Sequence, residues 1–346
     1  MRFKKIIAAV DTHTEGEPAR VVIGGVPVIP GMTFQDKWRW ARENLDDLRK
    51  LLMFEPRGSN VMSGSIITAP ATPGADIGVI FIEVSGFLPM CGHGTIATCT
   101  ALVETGIIPP VEPFTDVTLD TPAGLIKARI QVKDGIAKNV TIQVVPSFVY
   151  KSNLQVEVPE LGPVRLDIAF GGNFYAVVNA AALNLELAPR SGRQIVHYGQ
   201  LIRDAIYEQV EVVHPLNPSI NRCTHVRFVA PSPNPQAGAQ TRNAVLYGVE
   251  AIDRSPCGTG TCAEMACRHA RGALNIGEEF VSESIIGSLF YGCLIEETQV
   301  GPYKAVVPTI RGRSWVSGIQ QFVLDDRDPF PTGFYMGESS RWGAEF

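Results

Sequence analysis

Two short stretches of this chain are copies of one another, and they constrain its fold more than any other feature. The first reads CGHGT from Cys91 to Thr95, and the second reads CGTGT from Cys257 to Thr261. Each is followed by a helix-compatible run that ends at a glycine fifteen residues past the cysteine, Gly106 in one copy and Gly272 in the other. Glycine suits the left-handed cap that ends many helices. We therefore predict a duplicated unit in which each cysteine lies at the N-terminus of a helix.

A thiol at a helix N-terminus has distinctive chemistry. The backbone N–H groups of the first turn have no partner inside the helix, and the helix dipole adds partial positive charge, so this end attracts anions and lowers the pKa of a thiol. Glycines let an anion approach the backbone closely. If the two copies face each other across a cleft, we expect one carboxylate to be bound by the N–H groups of four residues. These are Gly92, His93, Gly258 and Thr259.

Two thiols on opposite sides of a bound carboxylate indicate one class of reaction. One thiolate removes the α-proton, the opposite thiol returns a proton to the other face, and the stereocentre inverts. We predict Cys91 and Cys257 as these catalytic groups, and their chemistry requires neither a metal nor another cofactor. The alternative is that both are small buried hydrophobic residues at tight turns, which would not explain two matched segments.

Longer segments around both cysteines resemble the two sequence motifs of the proline racemase family. They are Met90–Thr95 and Asp253–Thr261. The resemblance extends along nearly the whole chain through five further segments: Asp11–Glu17, Glu55–Gly58, Asp120–Gly124, Phe170–Phe174 and Ser284–Ser288. It implies a cofactor-independent racemase or epimerase with two similar domains that resemble diaminopimelate epimerase, and an active site in the cleft between them.

The order of predicted elements agrees with that fold class. Short strands separated by turn signals predict an α/β or α+β protein with mostly antiparallel sheets, each wrapped around the helix that begins at its cysteine. We predict strands near residues 5–10 and 79–84, a helix over 34–54, and a hairpin at Asp134-Gly135. A first half over residues 1–155, joined by the tail 325–346, would precede a second half over 156–324, with a crossing between the halves near 146–163.

Composition restricts the class of partner. Hydrophobic residues make up 45% of the 346 residues and charged residues 19%, values typical of a globular protein. The net charge of −5 and the lack of a basic cluster argue against nucleic acid or an anionic membrane as a partner, so we expect a small molecule. The apolar run after Lys5 is too short for a signal peptide or a membrane span, which predicts a cytoplasmic protein.

The seven cysteines do not indicate a disulfide framework or a metal site. Their number is odd, and Cys257, Cys262 and Cys267 are five residues apart, a spacing that places them on different faces of a helix. No Cys-x-x-Cys pair is present. We therefore predict no metal.

Several other residues are candidates for contact with the substrate. The resemblance places His93 and Asp253 near the substrate's amino group, where Asp253 would bind an ammonium and His93 would accept from it or tune Cys91. A turn aspartate bonded to its own backbone is the alternative for Asp253. An apolar slot for a ring is expected at Phe174, Tyr175 and Tyr247, although plain core packing explains each of them equally well. We expect the residues His13, Glu15 and Glu17 to lie in a solvated or interface loop.

The resemblance leaves the substrate open. Phe174 and Tyr175 follow Gly172-Asn173 in a manner similar to proline racemases, which favours inversion of L-proline to D-proline, with 4-hydroxyproline 2-epimerisation second. Dehydration of trans-3-hydroxy-L-proline comes third, because family members with that activity typically carry threonine in place of the second cysteine. A module that binds small carboxylates without catalysis is the non-enzymatic alternative. The family also makes a homodimer plausible.

Overall fold

The computed structural model describes residues 3–248 and 250–335, and the chain forms two compact units. Unit 1 comprises the described residues of Met1–Ile142 and Gly312–Phe346, and unit 2 comprises those of Gln143–Arg311. The boundaries therefore fall at residues 142 and 311, where the sequence predicted 155 and 324. Residues 147–158 pair with residues 162–170 of unit 2, and residues 314–325 pair with residues 3–14 of unit 1, which accounts for both differences.

The elements of unit 1 up to its first boundary alternate short strands with three helices. They are β1 (Phe3–Thr14), β2 (Glu17–Gly24), α1 (Phe34–Asn44), α2 (Asp46–Met53), β3 (Ser63–Thr68), β4 (Ile77–Glu83), β5 (Gly86–Leu88), α3 (Gly92–Glu104), β6 (Phe114–Thr121), β7 (Gly124–Lys133) and β8 (Ile136–Gln143).

Unit 2 follows, and a last strand then returns to unit 1. The elements of unit 2 are β9 (Ser147–Val158), β10 (Gly162–Phe170), β11 (Phe174–Asn179), α4 (Gly192–Gln209), β12 (His225–Pro231), β13 (Thr241–Tyr247), β14 (Ala251–Ile252), α5 (Gly258–Ala270), β15 (Glu279–Glu283), β16 (Leu289–Val300) and β17 (Tyr303–Gly312), with short 3-10 turns at Ala180–Leu183, Pro189–Ser191 and Pro235–Ala237. The returning strand is β18 (Ser314–Asp325).

The two units repeat one order of strand pairs. In unit 1 the parallel pair β2–β3 precedes the antiparallel pairs β3–β4 and β4–β5, then the cysteine helix α3, then the parallel pair β4–β6. In unit 2 the parallel pair β11–β12 precedes the antiparallel pairs β12–β13 and β13–β14, then the cysteine helix α5, then the parallel pair β13–β15. Antiparallel hairpins complete both repeats. The predicted duplication and the predicted α+β class are confirmed.

Each cysteine helix is the centre of its unit. Every residue from Gly92 to Val103 of α3 is buried, and the helix packs against β1, β2, β3, β7 and β18. In α5 every residue from Gly258 to Cys267 is buried, against β9, β10, β11 and β16. A helix that is buried on all sides needs small and apolar residues rather than one apolar stripe, which is what both sequences supply.

The prediction of a loop after residue 10 was wrong. β1 continues to Thr14 because it pairs with β2 on one side and with β18 on the other. Only Glu15 and Gly16 form the turn, with φ of 49° and 95°. Glu17 begins β2 and is fully buried, and the ring of His13 stacks on that of Trp315 at 5.0 Å, so neither residue lies in a solvated loop.

The remaining element predictions are confirmed in outline, with two corrections. The helix predicted over 34–54 is two helices, because the backbone leaves helical geometry at Leu45 with φ −117° and ψ 11°. The crossing predicted over 146–163 is mostly β9, which forms a hairpin with β10 and so belongs to unit 2. The Asp134-Gly135 hairpin joins β7 and β8 as predicted.

Part of the predicted C-terminal tail contacts the loop that follows α2. Phe334 donates from its backbone N–H to the carbonyl of Glu55 at 2.8 Å, and Arg57 pairs with Asp328. Residues 336–346 of the predicted tail lie outside the described residues.

Candidate active site

The first cysteine caps helix α3 and faces a histidine two residues later. Cys91 is the N-cap residue in extended geometry, and the residue is 8% exposed. Its Sγ lies 3.5 Å from Nδ1 of His93 and 3.8 Å from Nε2. Thr95 donates from both its backbone N–H, at 2.9 Å, and its hydroxyl, at 2.7 Å, to the Cys91 carbonyl, which fixes the turn.

The His93 ring is also held from outside the helix. Its Nε2 lies 2.6 Å from the hydroxyl of Ser63 on β3, and its backbone carbonyl accepts from the hydroxyl of Thr14 at 3.0 Å. The imidazole is therefore turned toward the Cys91 thiol and braced by two strands. His93 and Cys91 form a contact pair, as one of the two predicted roles of His93 requires.

The second cysteine caps helix α5 and faces a tyrosine. Cys257 is 6% exposed, and its Sγ lies 3.4 Å from the hydroxyl of Tyr175 on β11. That hydroxyl also lies 2.6 Å from the hydroxyl of Thr259 in the first turn of α5. Burial raises the pKa of the Cys257 thiol to about 12, and the charge of Asp253 adds to the rise, while Arg227 opposes it. Burial likewise raises the pKa of Tyr175, so both groups keep their protons.

The backbone at Cys257 is held in an unusual conformation. Its φ of 62° lies in the left-handed region, which residues with side chains rarely adopt. The Cys257 N–H donates to the Ser255 hydroxyl at 3.1 Å, and the preceding carbonyl of Pro256 accepts from Nη1 of Arg227 at 2.9 Å. These bonds on both sides of the peptide stabilise a geometry that the residue would not choose alone.

Arg227 is a buried charge directly beneath this turn. The side chain is fully buried and pairs with Glu264 of α5, with Nη2 and Nε at 2.8 and 3.1 Å from the same carboxylate oxygen. It also donates to Ser282 at 2.9 Å. A buried guanidinium is tolerated only when it is paired and hydrogen-bonded in this way.

Asp253 closes the turn that precedes Cys257. Its Oδ1 accepts from the backbone N–H of Ser255 at 2.8 Å and from the Ser255 hydroxyl at 2.7 Å, which is the turn interaction considered as the alternative. Its Oδ2 receives no hydrogen bond from the described residues. Asp253 is 5% exposed, and its Oδ1 shapes the turn that precedes Cys257.

The three aromatic residues predicted to line a slot do not share one location. Because side chains alternate along a strand, neighbours point to opposite faces. Tyr175 faces Cys257, whereas Phe174 packs in the unit 2 core with Phe148, Tyr150 and Phe170 at ring distances of 5.1 to 6.2 Å. The structure therefore gives Phe174 a packing role. Tyr247 is 5% exposed and lies on the same face of β13 as Val245, which packs with Cys257.

The predicted carboxylate-binding turns begin the two buried helices. Gly92 and His93 start α3, and Gly258 and Thr259 start α5. The backbone N–H groups of Gly258 and Thr259 make no hydrogen bond to another described residue, as expected for the first turn of a helix. All four residues therefore lie at helix N-termini, and their binding of a carboxylate stays a prediction.

A protein-family model described as proline racemase matches residues 9–335. The chain belongs to the proline racemase family. It is accordingly an isomerase of the racemase and epimerase class, and the non-enzymatic binding module is set aside.

Relatives of this chain in the proline racemase family are named for two activities on related rings. The chain is 51% identical over 336 residues to a 4-hydroxyproline 2-epimerase from Streptosporangium roseum, covering 97% of this chain and 100% of the relative. It is 44% identical over 336 residues to a proline racemase from Clostridioides difficile, with the same coverage of 97% and 100%.

Solved structures agree with the fold. A crystal structure of a hydroxyproline epimerase from Agrobacterium vitis with bound trans-4-OH-L-proline has a TM-score of 0.91 at 39% identity, covering 99% of this chain and 98% of that one. A PhzF-family phenazine biosynthesis protein of Bacillus anthracis, at 13% identity and a TM-score of 0.59, covers 94% of this chain and 100% of that one and shares the fold alone. The predicted diaminopimelate epimerase-like class is confirmed.

Two further observations bear on the kind of site in this member of the proline racemase family. Within residues 3–248 and 250–335, no group of three or more His, Cys, Asp or Glu side chains is arranged to hold a metal ion. No helix in that part of the chain is long and apolar enough to cross a membrane.

Sequence reasoning missed three residues that contact the predicted groups: Ser63, Arg227 and Ser255. Ser255 had a local signal, because an Asp-x-Ser spacing is typical of a turn closed by its own side chains. Arg227 had a weak one, a lone charge inside an apolar strand. Ser63 had none, since its partner lies on another element.

Proposed function

We propose that this protein inverts the α-carbon of a proline-type imino acid by passing protons between the substrate and two thiols, Cys91 and Cys257. The observation that supports the proposal is the matched pair of capping cysteines, each with its own hydrogen-bonding partner, His93 for one and Tyr175 for the other. Inversion without a cofactor needs one base and one acid on opposite faces of the α-carbon.

Substrate binding starts from the carboxylate. The N–H groups at the starts of α3 and α5 would hold its oxygens, and the helix dipoles favour the negative charge. The Oδ2 atom of Asp253, which the turn does not use, would accept from the ring ammonium. These contacts orient the α-carbon and its hydrogen for transfer, and they explain why the reaction needs no other group to anchor the substrate.

The two thiols enter the reaction in different protonation states. Cys257 is held as a thiol because burial raises its pKa to about 12, which suits the acid that delivers a proton. Cys91 has an imidazole nitrogen 3.5 Å from its sulfur, so its proton can move to His93 and leave a thiolate base. After one inversion Cys91 carries the proton taken from the substrate and Cys257 has given its own proton up, so this form of the enzyme inverts the other enantiomer with the roles exchanged.

Two rings remain candidates for the substrate. Proline is the ring favoured by the sequence, and the relative named proline racemase supports it. The higher identity to a 4-hydroxyproline 2-epimerase and the likeness to an epimerase crystallised with trans-4-OH-L-proline support 4-hydroxyproline as the second candidate. Dehydration of 3-hydroxyproline is not favoured, because this chain carries Cys257 as its second acid/base group.

The test is exchange of the α-proton in deuterated water. L-Proline and trans-4-hydroxy-L-proline are incubated separately with the enzyme, and the α-proton signal is followed by NMR together with optical rotation. Loss of the signal with change of rotation in either substrate supports inversion and identifies the ring. Retention of the α-proton in both substrates would rule the proposal out.

A further inference from the structure

The two units carry different side chains at one equivalent position behind the cysteine helix. The residue seven places after the cysteine is Thr98 in α3 and Glu264 in α5. The Thr98 hydroxyl lies 2.7 Å from the hydroxyl of Ser65 on β3, whereas Glu264 pairs with Arg227 on β12. β3 and β12 occupy the same place in the repeat, because each pairs in parallel with the strand before it and antiparallel with the strand after it. A neutral pair in unit 1 therefore corresponds to an ion pair in unit 2.

The ion pair belongs to a cluster with a net positive charge. The carboxylate of Glu264 lies between two guanidiniums, with Oε2 2.8 Å from Nη2 of Arg227 and Oε1 3.1 Å from Nε of Arg268. The Arg227 side chain is fully buried, while that of Arg268 is 31% exposed and is therefore better screened by water. The equivalent pair in unit 1 has no charge. The two units thus differ in the charge that lies behind their cysteines.

The guanidinium of Arg227 lies close to the sulfur of Cys257. Its Nη1 donates to the carbonyl of Pro256, the residue before Cys257, at 2.9 Å. A Cβ atom on Gly260 would lie 3.1 Å from this Nη1 and 3.0 Å from Sγ of Cys257. Two atoms that each lie about 3 Å from one point are at most about 6 Å apart, a distance at which a positive charge favours the ionised form of a thiol.

The other groups around Cys257 differ in their effect on an ionised sulfur. Burial raises the pKa of the Cys257 thiol to about 12, and the charge of Asp253 adds to the rise. Arg227 opposes the rise, and so do hydrogen bonds from Tyr175 and from the backbone of Gly260. Among the described groups that oppose it, Arg227 is the one with a full charge. A Coulomb interaction acts over several ångströms inside a protein, so it stabilises a buried thiolate without direct contact.

We propose that Arg227 is a positioning residue that acts through Cys257 and stabilises the thiolate left there when this cysteine has protonated the substrate. The proposal rests on the function given above, in which Cys257 is the acid. In that step the S–H bond breaks, the proton forms the new C–H bond at the α-carbon, and the electron pair stays on sulfur. The negative charge develops near a guanidinium that is already fixed in place, so little reorganisation is needed.

The charges of the ion pair can be removed one at a time. Glu264→Gln removes the negative charge and keeps an oxygen that can accept from Arg227, so the guanidinium is no longer neutralised. Arg227→Met/Glu264→Gln then removes the guanidinium and leaves no buried carboxylate without its partner. The difference between these two variants is the effect of Arg227.

The equivalent pair of unit 1 supplies a matched control. Ser65 and Thr98 are buried between a strand and a cysteine helix, as Arg227 and Glu264 are. Ser65→Ala/Thr98→Val removes this pair of hydroxyl groups without changing any charge. It measures what the loss of a buried polar pair does by itself, and we expect Cys257 to behave in it as in the parent.

The reactivity of Cys257 toward iodoacetamide measures its access to the thiolate form. Initial rates on the full-length free enzyme are followed by peptide mass spectrometry at a pH well below the pKa of the thiol. We expect Glu264→Gln to raise the rate at Cys257 about threefold over the parent, and Arg227→Met/Glu264→Gln to lower it about tenfold below Glu264→Gln. Cys91 serves as the internal reference and should keep its parent rate in both variants.

The proposal requires one order of rates at Cys257, with Glu264→Gln fastest, the parent next and the double variant slowest. Any other order, including equal rates, would overturn it, because a loosened structure would shift both variants in the same direction. A parent Cys257 that reacts no faster than Cys99, a fully buried thiol of α3, would overturn it as well. If circular dichroism shows that the double variant does not fold, the sign of the effect in Glu264→Gln decides.

The kinetics of inversion give a second readout. Arg227 acts on Cys257 and not on the bound substrate, so kcat in the double variant should be about tenfold below that in Glu264→Gln, with KM within about twofold. Arg227→Lys keeps the charge without the planar fork and should have a kcat within about threefold of the parent. A change confined to KM, or a lysine variant as slow as the double variant, would contradict the proposal.

The alkylation rates do not depend on turnover, so they separate this inference from the proposed function. If Cys257 followed the expected order while Cys257→Ser retained full inversion, the catalytic assignment would fail and the effect of Arg227 on the sulfur would stand. If Cys257→Ser were inactive but the rates at Cys257 ignored both charges, only the role of Arg227 would be lost.

Discussion

The two catalytic candidates begin from copied sequence segments but differ at the level of individual residues. Cys91 has an extended backbone with φ −145°, whereas Cys257 is left-handed with φ 62°. The first faces an imidazole and the second a phenol. A duplicated turn thus supports two different acid/base environments, because the residue that contacts the first sulfur, His93, lies in the turn itself, whereas Tyr175, which contacts the second, comes from strand β11.

Replacement of either cysteine by serine should abolish inversion. A hydroxyl is a far weaker acid than a thiol, so Cys91→Ser and Cys257→Ser are each expected to lower kcat by at least about a thousandfold, or ~4 kcal/mol. The measurement is the initial rate of inversion with proline and with 4-hydroxyproline. Cys293→Ser, a partly exposed thiol of β16, is the control and should retain the parent rate.

Tyr175→Phe tests the partner of the second thiol. It removes the hydroxyl that lies 3.4 Å from Cys257 and 2.6 Å from Thr259. A buried thiolate that loses a donor is destabilised by ~1–3 kcal/mol, so kcat should fall about tenfold or more with little change in KM. Tyr198→Phe, whose hydroxyl accepts from Gln194 on the surface of α4, is the control. An effect confined to KM would instead assign Tyr175 to substrate binding.

The buried side chain of His225 should make the free energy of unfolding depend on pH. Burial lowers its pKa to about 3 from the ordinary 6.5, and the charge of Arg203 adds to the shift. The unfolded chain therefore binds a proton at His225 near pH 6.5 while the folded chain does not. The free energy of unfolding should fall as the pH drops below 6.5, by at most ~1.4 kcal/mol per pH unit from this group.

Urea unfolding between pH 7 and pH 5 checks this dependence. His225→Gln should flatten the decline, because the substitution removes the group whose proton uptake differs between the two states. His197→Gln, an exposed histidine of α4, is the control and should follow the parent curve. Parallel curves for the parent and His225→Gln would contradict the assignment.

At the scale of elements, the start of helix α5 depends on close approach of backbone to backbone. A Cβ atom on Gly171, in the turn between β10 and β11, would lie 2.1 Å from the Thr259 carbonyl oxygen and 2.6 Å from the Ala263 backbone nitrogen. These are atoms of the first turns of α5, and they cannot move without shifting the helix that carries Cys257. A glycine here sets how closely the strand turn packs on the helix.

Gly171→Ala should therefore displace the start of α5. We expect a loss of ~1–3 kcal/mol in the free energy of unfolding and a lower rate of inversion, because overpacking against backbone has no cheap relief. Gly192→Ala is the control, since its Cβ would meet only Ile252 Cδ1 at 3.7 Å, and alanine in a helix is favoured over glycine by up to ~1 kcal/mol. The denaturant midpoints of both variants measure these changes. Equal stability of Gly171→Ala and the parent would refute the close packing of Gly171 on α5.

At the scale of the whole molecule, the chain builds unit 1 from both of its ends and unit 2 from one continuous segment. β18 pairs with β1 along nearly its entire length, from Phe3↔Asp325 to Thr14↔Ser314. Unit 2 has its own core of buried side chains around Phe148, Ile168 and Phe228, all from residues between its boundaries. The two units therefore differ in what they need in order to fold.

A fragment experiment follows from this difference. Residues 143–311 expressed alone should give a cooperative unfolding transition, because their core is complete. Residues 1–142 alone should not, because β1 would expose an unpaired edge and the α3 contacts with β18 would be missing. Addition of a peptide covering 312–335 should restore ordered structure to the fragment 1–142, as followed by circular dichroism. Cooperative folding of 1–142 without the peptide would contradict the role of β18.

Much of the fold was determined by local sequence. The capping cysteines, the glycines at 106 and 272 with φ of 72° and 69°, and the Asp134-Gly135 hairpin all depend on neighbours within a few residues. A helix start and stop, or a tight turn, is specified by backbone preferences that remain visible in the sequence. The duplication was visible for the same reason, because two copies of one local signal can be compared directly.

Tertiary structure alone decided which side chains meet. Phe174 and Tyr175 are adjacent in sequence, yet one packs in the core of unit 2 and the other contacts Cys257, because the pleat of β11 sends them to opposite faces. Ser63 contacts His93, and β18 returns to β1, through pairings between segments that are distant in the chain. Such contacts leave no local pattern. The sequence therefore determined the two thiols, their helices and the nearby His93, while the packing of strands brought Tyr175 to Cys257 and Ser63 to His93.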